Sequence, residues 1–190
     1  ATGSDIASLP GIKIDEKNIV SSTGALSLKK VPKKLAIIGG GYIGLEMGSV
    51  WSRLGAEVIV IEYLDHITPG MDREISKEFQ KILGKQGIKF KLNSKVDSVT
   101  NQKDNVRIEF TDNITSKKES LEAEKVLVSV GRKAYTEGLN LTKIGIKKDN
   151  KGKIEVNEKL QTSIKNIYAI GDVIKGPMLA HKAEEEGIAV

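Results

Sequence analysis

The stretch Leu35-Ala-Ile-Ile-Gly-Gly-Gly-Tyr-Ile-Gly-Leu-Glu46 decides the fold of this chain, together with Val58-Ile-Val-Ile-Glu62 after it. A short apolar run enters a G-x-G-x-x-G turn at Gly39, Gly41 and Gly44, and a helical pattern follows. The second apolar run then ends in an acid. A glycine motif alone is weak evidence, but a strand, glycines, a helix and a terminal acid in this order are typical of a βαβ unit that binds a dinucleotide.

The three glycines of the motif have different predicted tasks. Gly39 permits the tight turn, Gly41 lets the backbone approach a pyrophosphate, and Gly44 lets the helix pack close to the strand. The pyrophosphate is expected on the free N–H groups at the helix start, where the helix dipole favours negative charge. Glu62 follows Gly44 by 18 residues, near the spacing of an acid that accepts hydrogen bonds from the adenine ribose. A turn that serves packing alone is the weaker alternative, because all the elements occur in order.

Glu62 also bears on the choice of cofactor. A carboxylate at this position repels a 2′-phosphate, and residues 63–66, Tyr-Leu-Asp-His, contain no Arg or Lys. The sequence therefore favours NAD over NADP.

Composition limits the remaining classes of function. The 190 residues suit one domain, or one domain with pieces of another, and no apolar run approaches the ~18 residues that span a bilayer. The net charge is +5, yet the lysines are scattered and lack interleaved aromatic residues, so we expect no nucleic-acid partner. There is no cysteine, so the chain itself supplies no disulfide, thiolate metal site or cysteine nucleophile. We predict no metal site, no membrane contact and no catalytic residue within the chain.

Hydrophobic periodicity predicts an α/β fold. It indicates buried strands, amphipathic helices and a set of short alternating segments in the middle of the chain. The predicted strands are 35–38, 57–62, 88–92, 125–130 and 166–172, the helices are 42–54, 72–85 and 178–186, and the alternating segments are 95–100, 105–111 and 120–124. Residues 1–34 are predicted to be irregular apart from a short extended run at 19–22. The expected architecture is a Rossmann-like parallel sheet with helices on one face and a small antiparallel meander on the other.

Five ordered motifs carry a resemblance to a known family. They are Ala1-Thr-Gly-Ser4, Gly39-Gly-Gly-Tyr-Ile-Gly-Leu-Glu46, Ser129-Val-Gly-Arg132, Tyr168-Ala-Ile-Gly-Asp172 and Gly176-Pro-Met-Leu-Ala-His-Lys-Ala-Glu184. Over essentially its full length, the chain resembles the NAD-binding central portion of the FAD-dependent pyridine nucleotide–disulfide oxidoreductases. The resemblance implies NAD and FAD as cofactors. It favours a homodimeric member that oxidises dihydrolipoamide on lipoyl domains of 2-oxo acid dehydrogenase complexes, in the bacterial cytoplasm or the mitochondrial matrix.

The resemblance also implies an organisation and a set of binding residues. Residues 1–30 would link from the FAD domain, 31–140 would form the NAD-binding domain, and 141–190 would return to an incomplete FAD domain. The residues implied for NAD are Gly39, Gly40, Gly41, Tyr42, Ile43, Gly44, Leu45, Glu46, Glu62, Val96 and Gly131. Those implied for FAD are Thr2, Gly3, Ser4, Asp172, Met178, Leu179, Ala180 and His181. By residue chemistry alone, the Gly-Asp turn at 171–172 is either a second cofactor site or a surface turn.

The resemblance places the family's catalytic groups outside residues 1–190. Its redox cysteine pair lies N-terminal to the matching segment and its His–Glu pair lies C-terminal, so His181 is not expected to be the catalytic base. We therefore expect a piece of a longer protein, inactive alone, whose exposed Met178, Leu179 and Ile188 favour disordered ends or association. Two alternatives remain: a fragment of an NADPH-dependent reductase of the glutathione or mercuric type, and a stand-alone dinucleotide-binding module.

Overall fold

The apolar runs around the glycine motif form a five-stranded parallel sheet. A computed structural model describes all 190 residues. The sheet consists of β2 (Ile19–Val20), β3 (Lys34–Ile38), β4 (Glu57–Ile61), β5 (Lys89–Lys91) and β9 (Lys125–Val128). Their order is β2-β9-β3-β4-β5. The strand before the glycine motif, β3, therefore pairs directly with β4, the strand that Glu62 follows.

Three helices belong to the same region: α1 (Ser22–Leu26), α2 (Tyr42–Arg53) and α3 (Arg73–Lys85). The start of α3 is capped by Asp72, whose side chain accepts hydrogen bonds from the N–H groups two and three residues later. Beyond the end of α3, Gly87 has a φ of +97°, the left-handed conformation that commonly terminates helices. The predicted helices at 42–54 and 72–85 are confirmed to within one residue at each end.

The alternating segments form the predicted antiparallel meander. It consists of β6 (Ser94–Asn101), β7 (Val106–Asp112) and β8 (Lys118–Ala123), with a register shift between Val96 and Ser98.

Successive side chains of the parallel strands enter opposite faces of the sheet, and both faces are covered. In β3, Leu35 and Ile37 pack in one core cluster with Leu45 and Trp51 of α2. The intervening Ala36 and Ile38 pack in a second cluster with residues of the meander. This double coverage explains why the strand sequences are continuous apolar runs. The predicted architecture, with helices on one face and the meander on the other, is confirmed.

The chain divides into two compact units. The larger unit is Ser8–Gly131 and contains the sheet, the meander and α1 to α3. The smaller unit is Ala1–Ala7 with Arg132–Val190. It contains the antiparallel pair β1 (Ser4–Ile6) and β10 (Arg132–Ala134), two 3₁₀ turns and helix α4 (Ala180–Ala189). Its core is made of a few side chains, including Leu141, Ile146, Ile154, Val173 and Ile174.

The helix predicted at 178–186 is observed as α4, two residues later at its start and three at its end. Two further details differ from the sequence predictions. The strand predicted at 166–172 is wrong: Tyr168 makes a one-residue bridge with Gln161, and Gly171 begins a 3₁₀ turn. Gly171 has a φ of +74° and turns the chain away from an extended path. No neighbouring segment pairs with this run over several residues, so it forms no β-strand. The region predicted as irregular also contains the short elements β1 and α1.

The predicted segments 1–30, 31–140 and 141–190 remain a prediction. Within the first of them, Val20 and Ala25 are fully buried in the core of the larger unit. No helix in the structure has both the length and the apolar character needed to cross a membrane.

Candidate functional site

The glycine turn between β3 and α2 is shaped by close backbone packing. Gly39 has a φ of +108°, and a Cβ on it would lie 2.5 Å from the carbonyl oxygen of Ser129. A Cβ on Gly44 would overlap the Gly39 carbonyl oxygen and lie 2.6 Å from Ser129 Oγ. Side chains are therefore excluded at both positions, in agreement with the tight turn and the close helix–strand packing predicted for them. Ser129, which belongs to a sequence motif but had no predicted task, is the residue against which both glycines pack.

The start of α2 presents unpaired N–H groups to open space. Gly41 is the N-cap and provides no side-chain hydrogen bond, and no atom lies within 4 Å of the place where its Cβ would be. The first N–H with a protein acceptor is that of Leu45, which bonds to the Gly41 carbonyl oxygen at 3.0 Å. The N–H groups of Tyr42, Ile43 and Gly44 remain available. An anion fits this position, since the donors converge there and the helix dipole favours negative charge.

Glu62 lies directly after β4, beside this turn. Its side chain is buried, with 7% of its surface exposed. Its Oε2 accepts a hydrogen bond from Gly40 N–H at 2.5 Å, and its Oε1 accepts one from Leu64 N–H at 2.9 Å. Both carboxylate oxygens have a further lone pair, so Glu62 can also accept from ribose hydroxyls. The acid and the glycine turn, separated by 22 residues in sequence, are thus brought into direct contact.

Of the remaining residues predicted for NAD, Leu45 is buried in the core cluster between α2 and the sheet. Val96 lies on β6, Gly131 lies between β9 and β10, and Glu46 lies on α2. Ser94 donates its N–H to the carbonyl oxygen of Glu62 at 2.8 Å, which brings the start of β6 and the half-buried Val96 towards the acid. Gly131, with a φ of +123°, follows two residues after Ser129. Glu46 lies on α2, exposed, one turn after the glycines.

A cation missed by the sequence analysis lies at the connection between β4 and α3. The guanidinium of Arg73, at the first position of α3, donates to both carboxylate oxygens of Asp65, at 2.8 and 2.7 Å. It also contacts the ring of His66. Hydrogen bonds from Arg73 and then His66 hold the pKa of Asp65 well below its usual range. No Arg or Lys occurs at 63–66, but Arg73 reaches that loop in space because the chain turns back to begin α3.

The smaller unit brings together part of the set predicted for FAD. Ser4 Oγ donates to Asp172 Oδ2 at 2.5 Å and accepts from Arg132 Nε at 2.6 Å. The Arg132 guanidinium also donates to the Ser4 carbonyl oxygen at 2.7 Å. Thr2 Oγ1 donates to the carbonyl oxygen of Tyr135 at 2.6 Å, which extends the β1–β10 pair beyond Gly3. Arg132 belongs to a motif in the sequence but had no predicted task.

The residues 178–181 lie at the start of α4. Leu179 is the N-cap without a side-chain hydrogen bond, and Ala183 is the first residue whose N–H bonds back, to Leu179 at 3.3 Å. The helix start therefore has free N–H groups at Ala180 and His181. Helix α4 buries none of its residues, and Ile188 is 81% exposed.

A family model for the pyridine nucleotide-disulphide oxidoreductases matches residues 1–187. The chain belongs to this family. Over 189 residues it is 58% identical to the mitochondrial dihydrolipoyl dehydrogenase of Pisum sativum, covering 100% of this chain and 38% of that protein. It is 57% identical to the leghemoglobin reductase of Glycine max, with coverages of 100% and 36%. The mitochondrial dihydrolipoyl dehydrogenase of Caenorhabditis elegans is 56% identical, with coverages of 99% and 38%.

Solved structures of family members have the same fold. The HOCl-induced flavoprotein disulfide reductase RclA from Escherichia coli, as its Cu(II) complex, superposes with a TM-score of 0.89 at 30% identity, covering 99% of this chain and 42% of that chain. LpdA from Mycobacterium tuberculosis gives a TM-score of 0.89 at 26% identity, with coverages of 99% and 40%. The family pairs a flavin, FAD, with a pyridine nucleotide. The chain spans well under half the length of the curated relatives that it matches.

Proposed function

We propose that this chain is the NAD(H)-binding part of a dihydrolipoyl dehydrogenase. The observation that carries the proposal is the contact between Glu62 and Gly40 beside the uncapped start of α2. It combines an acceptor for ribose hydroxyls with a set of donors for a pyrophosphate. The identity of 56–58% to dihydrolipoyl dehydrogenases across the whole chain supports the same function.

In this proposal each group of the larger unit has one task. The N–H groups of residues 42–44 bind the pyrophosphate, and the Glu62 carboxylate accepts hydrogen bonds from the adenine ribose. Val96 flanks the adenine, while Glu46 and Gly131 lie towards the nicotinamide half. NAD, when bound, supplies the nicotinamide ring that accepts a hydride. The protein positions that ring and excludes a 2′-phosphate.

The smaller unit is proposed to contribute to the FAD site. Ser4 and Asp172, joined by a hydrogen bond, would present polar groups to the cofactor together with Thr2 and Gly3. The free N–H groups at the start of α4, within 178–181, would line the flavin. In this arrangement Arg132 acts by orienting Ser4.

The reaction of the whole protein is proposed from the relatives. Dihydrolipoamide, carried on lipoyl domains of 2-oxo acid dehydrogenase complexes, would be oxidised through a disulfide and FAD with transfer of hydride to NAD. The protein would act as a homodimer, in the mitochondrial matrix or the bacterial cytoplasm. Because residues 1–190 contain no cysteine, they supply no disulfide for this reaction, and we propose that they do not oxidise dihydrolipoamide alone.

Calorimetric titration of the chain with NADH and with NADPH tests the cofactor assignment. We expect NADH to bind at least tenfold more tightly than NADPH, because the Glu62 carboxylate repels a 2′-phosphate. Glu62→Ala should weaken NADH binding by roughly ten- to a hundredfold, since hydrogen bonds to a charged group are lost. Glu57→Ala removes a carboxylate at the opposite end of β4 and is the matched control. Equal binding of the two cofactors by the unaltered chain would overturn the NAD assignment.

A further inference from the structure

The loop between β4 and α3 is attached to the candidate dinucleotide site at two points. Near its start, Leu64 donates its N–H to Glu62 Oε1 at 2.9 Å. Near its middle, Thr68 donates its N–H to the carbonyl oxygen of Gly40, in the glycine turn, at 2.8 Å. Residues 65–67 lie between these two anchors, so this stretch borders the site where Glu62 meets the glycines.

Asp65 in this stretch forms a bidentate ion pair with Arg73. The two N–H···O distances are 2.8 and 2.7 Å, and both side chains are more than half exposed. A guanidinium that donates to both oxygens of a carboxylate in this way has committed the donor edge that it would use to bind a phosphate. The pair therefore neutralises the cation that Arg73 brings to the loop following Glu62.

We propose that Asp65 is a specificity determinant that keeps Arg73 from binding a 2′-phosphate. This inference rests on the proposed function, because it concerns the adenine-ribose end of the same site. Discrimination against the 2′-phosphorylated cofactor then has two components in this chain. Glu62 repels the 2′-phosphate. Asp65 keeps Arg73 in an ion pair, so that Arg73 does not compensate for this repulsion.

An ion pair that only holds the loop and one that keeps Arg73 from a 2′-phosphate differ in their expected effect on NADPH binding. If the pair only fastens the loop to the start of α3, then removing either partner weakens NADH and NADPH binding together. If Asp65 withholds Arg73, removing Asp65 favours NADPH specifically, and the effect requires Arg73. The informative quantity is the ratio of the Kd for NADPH to the Kd for NADH.

The test measures this ratio by calorimetry for the unaltered chain, Asp65→Asn, Arg73→Gln and the double variant. In Asp65→Asn we expect the ratio to fall by about two- to fivefold, the range of an exposed charge–charge contact. In the double variant the ratio should return to that of the unaltered chain, and in Arg73→Gln alone it should stay there. Raising the ionic strength to about 0.5 M should diminish the gain, since exposed charges are screened.

Glu57→Gln is the control for net charge. It also removes one carboxylate and frees a lysine, Lys89, from an exposed pair of 2.7 Å, but it does so at the other end of β4. An equal fall of the ratio in Glu57→Gln and Asp65→Asn would overturn the proposal, as would a ratio that does not change in Asp65→Asn. Parallel titrations with ADP-ribose and its 2′-phosphorylated form locate the effect at the ribose. If the unaltered chain binds no NADH, the proposed function fails; if it binds NADH but the ratio does not respond to Asp65, only this inference fails.

Discussion

The two units of this chain form their candidate sites in different ways. In the larger unit, a parallel sheet covered on both faces positions the candidate site. The site consists of the backbone N–H donors of α2 and one buried carboxylate, that of Glu62. In the smaller unit, single-residue bridges and a small core leave the polar groups to be held by side-chain hydrogen bonds and the partly buried ion pair of Lys182 and Glu186. The first kind of site depends on how closely the elements pack, whereas the second depends on individual polar contacts.

The largest effect is expected from a methyl group placed in the glycine turn of the larger unit. Gly44→Ala puts a Cβ onto the Gly39 carbonyl oxygen and 2.6 Å from Ser129 Oγ, so α2 must shift from β3. We expect the free energy of unfolding to fall by about 2–3 kcal/mol, as in overpacked cores. We also expect NADH binding to weaken by at least tenfold, because the α2 donors move with the helix. Urea denaturation and calorimetry measure the two effects.

Gly84→Ala in α3 is the matched control for this substitution. A Cβ at Gly84 meets no atom within 4 Å, so the same change should stabilise the helix by up to about 1 kcal/mol. If Gly44→Ala behaves like Gly84→Ala, close packing does not determine the geometry of the turn.

A smaller effect is expected from the ion pair of the smaller unit. Lys182 Nζ lies 2.6 Å from Glu186 Oε1, and both side chains are only 17% exposed. Glu186 also accepts the N–H of Gly171 at 2.6 Å, so the pair fixes the turn that carries Asp172. Lys182→Met leaves this carboxylate without its cation and should cost about 1–2 kcal/mol in the stability of the smaller unit. Hydrogen exchange of the α4 amides reports that loss locally.

The control for Lys182 lies in the larger unit. Lys81 and Glu78 are 3.3 Å apart on α3 with side chains 59% and 62% exposed. Lys81→Met should change stability by no more than about 0.5 kcal/mol, as is usual for exposed pairs. Equal effects of the two substitutions would show that partial burial does not distinguish the pair in the smaller unit.

The smallest expected effect is the loss of stability at low pH from one turn of the larger unit, which is held by the side chain of Asp15. Burial raises the pKa of Asp15, but hydrogen bonds outweigh it and bring the pKa from 3.8 to about 2. The donors are the N–H groups of Lys17, Asn18 and Ile19 and the amide of Asn101. Because the pKa is lower in the folded state, the stabilisation is present above pH ~4 and is lost as the pH falls towards 2. We expect a loss of about 1 kcal/mol over this range, after discounting for solvent screening.

Asp15→Asn tests this origin of the acid sensitivity. The amide does not titrate, so the difference in free energy of unfolding between the unaltered chain and the variant should shrink between pH ~5 and pH ~2. Denaturant titrations at both pH values measure it. A difference that stays constant across that range would assign the acid sensitivity to other carboxylates.

Sequence patterns predicted the larger unit much better than the smaller one. The apolar runs of β3 and β4 and the helical period of α2 each bury a continuous face, so local pattern and tertiary contacts agree. The alternating polar and apolar residues of the meander predicted its three strands equally well. The run at 166–172 has the same apolar character, yet it forms no strand, because pairing depends on a neighbouring segment that the local sequence does not specify.

At the candidate site, the sequence alone identified residues at positions where the local backbone geometry accepts only one residue type. Glycines at 39 and 44 are required where backbone and helix approach closely, and an acid after the second strand of a βαβ unit is the expected acceptor for ribose hydroxyls. The groups that surround these residues became known only from the tertiary structure. Ser129 packs against both glycines although it lies 90 residues after Gly39, and Arg73 returns to Asp65 at the start of α3. Such contacts arise from the order of the strands and the turn of a loop, which no local pattern encodes.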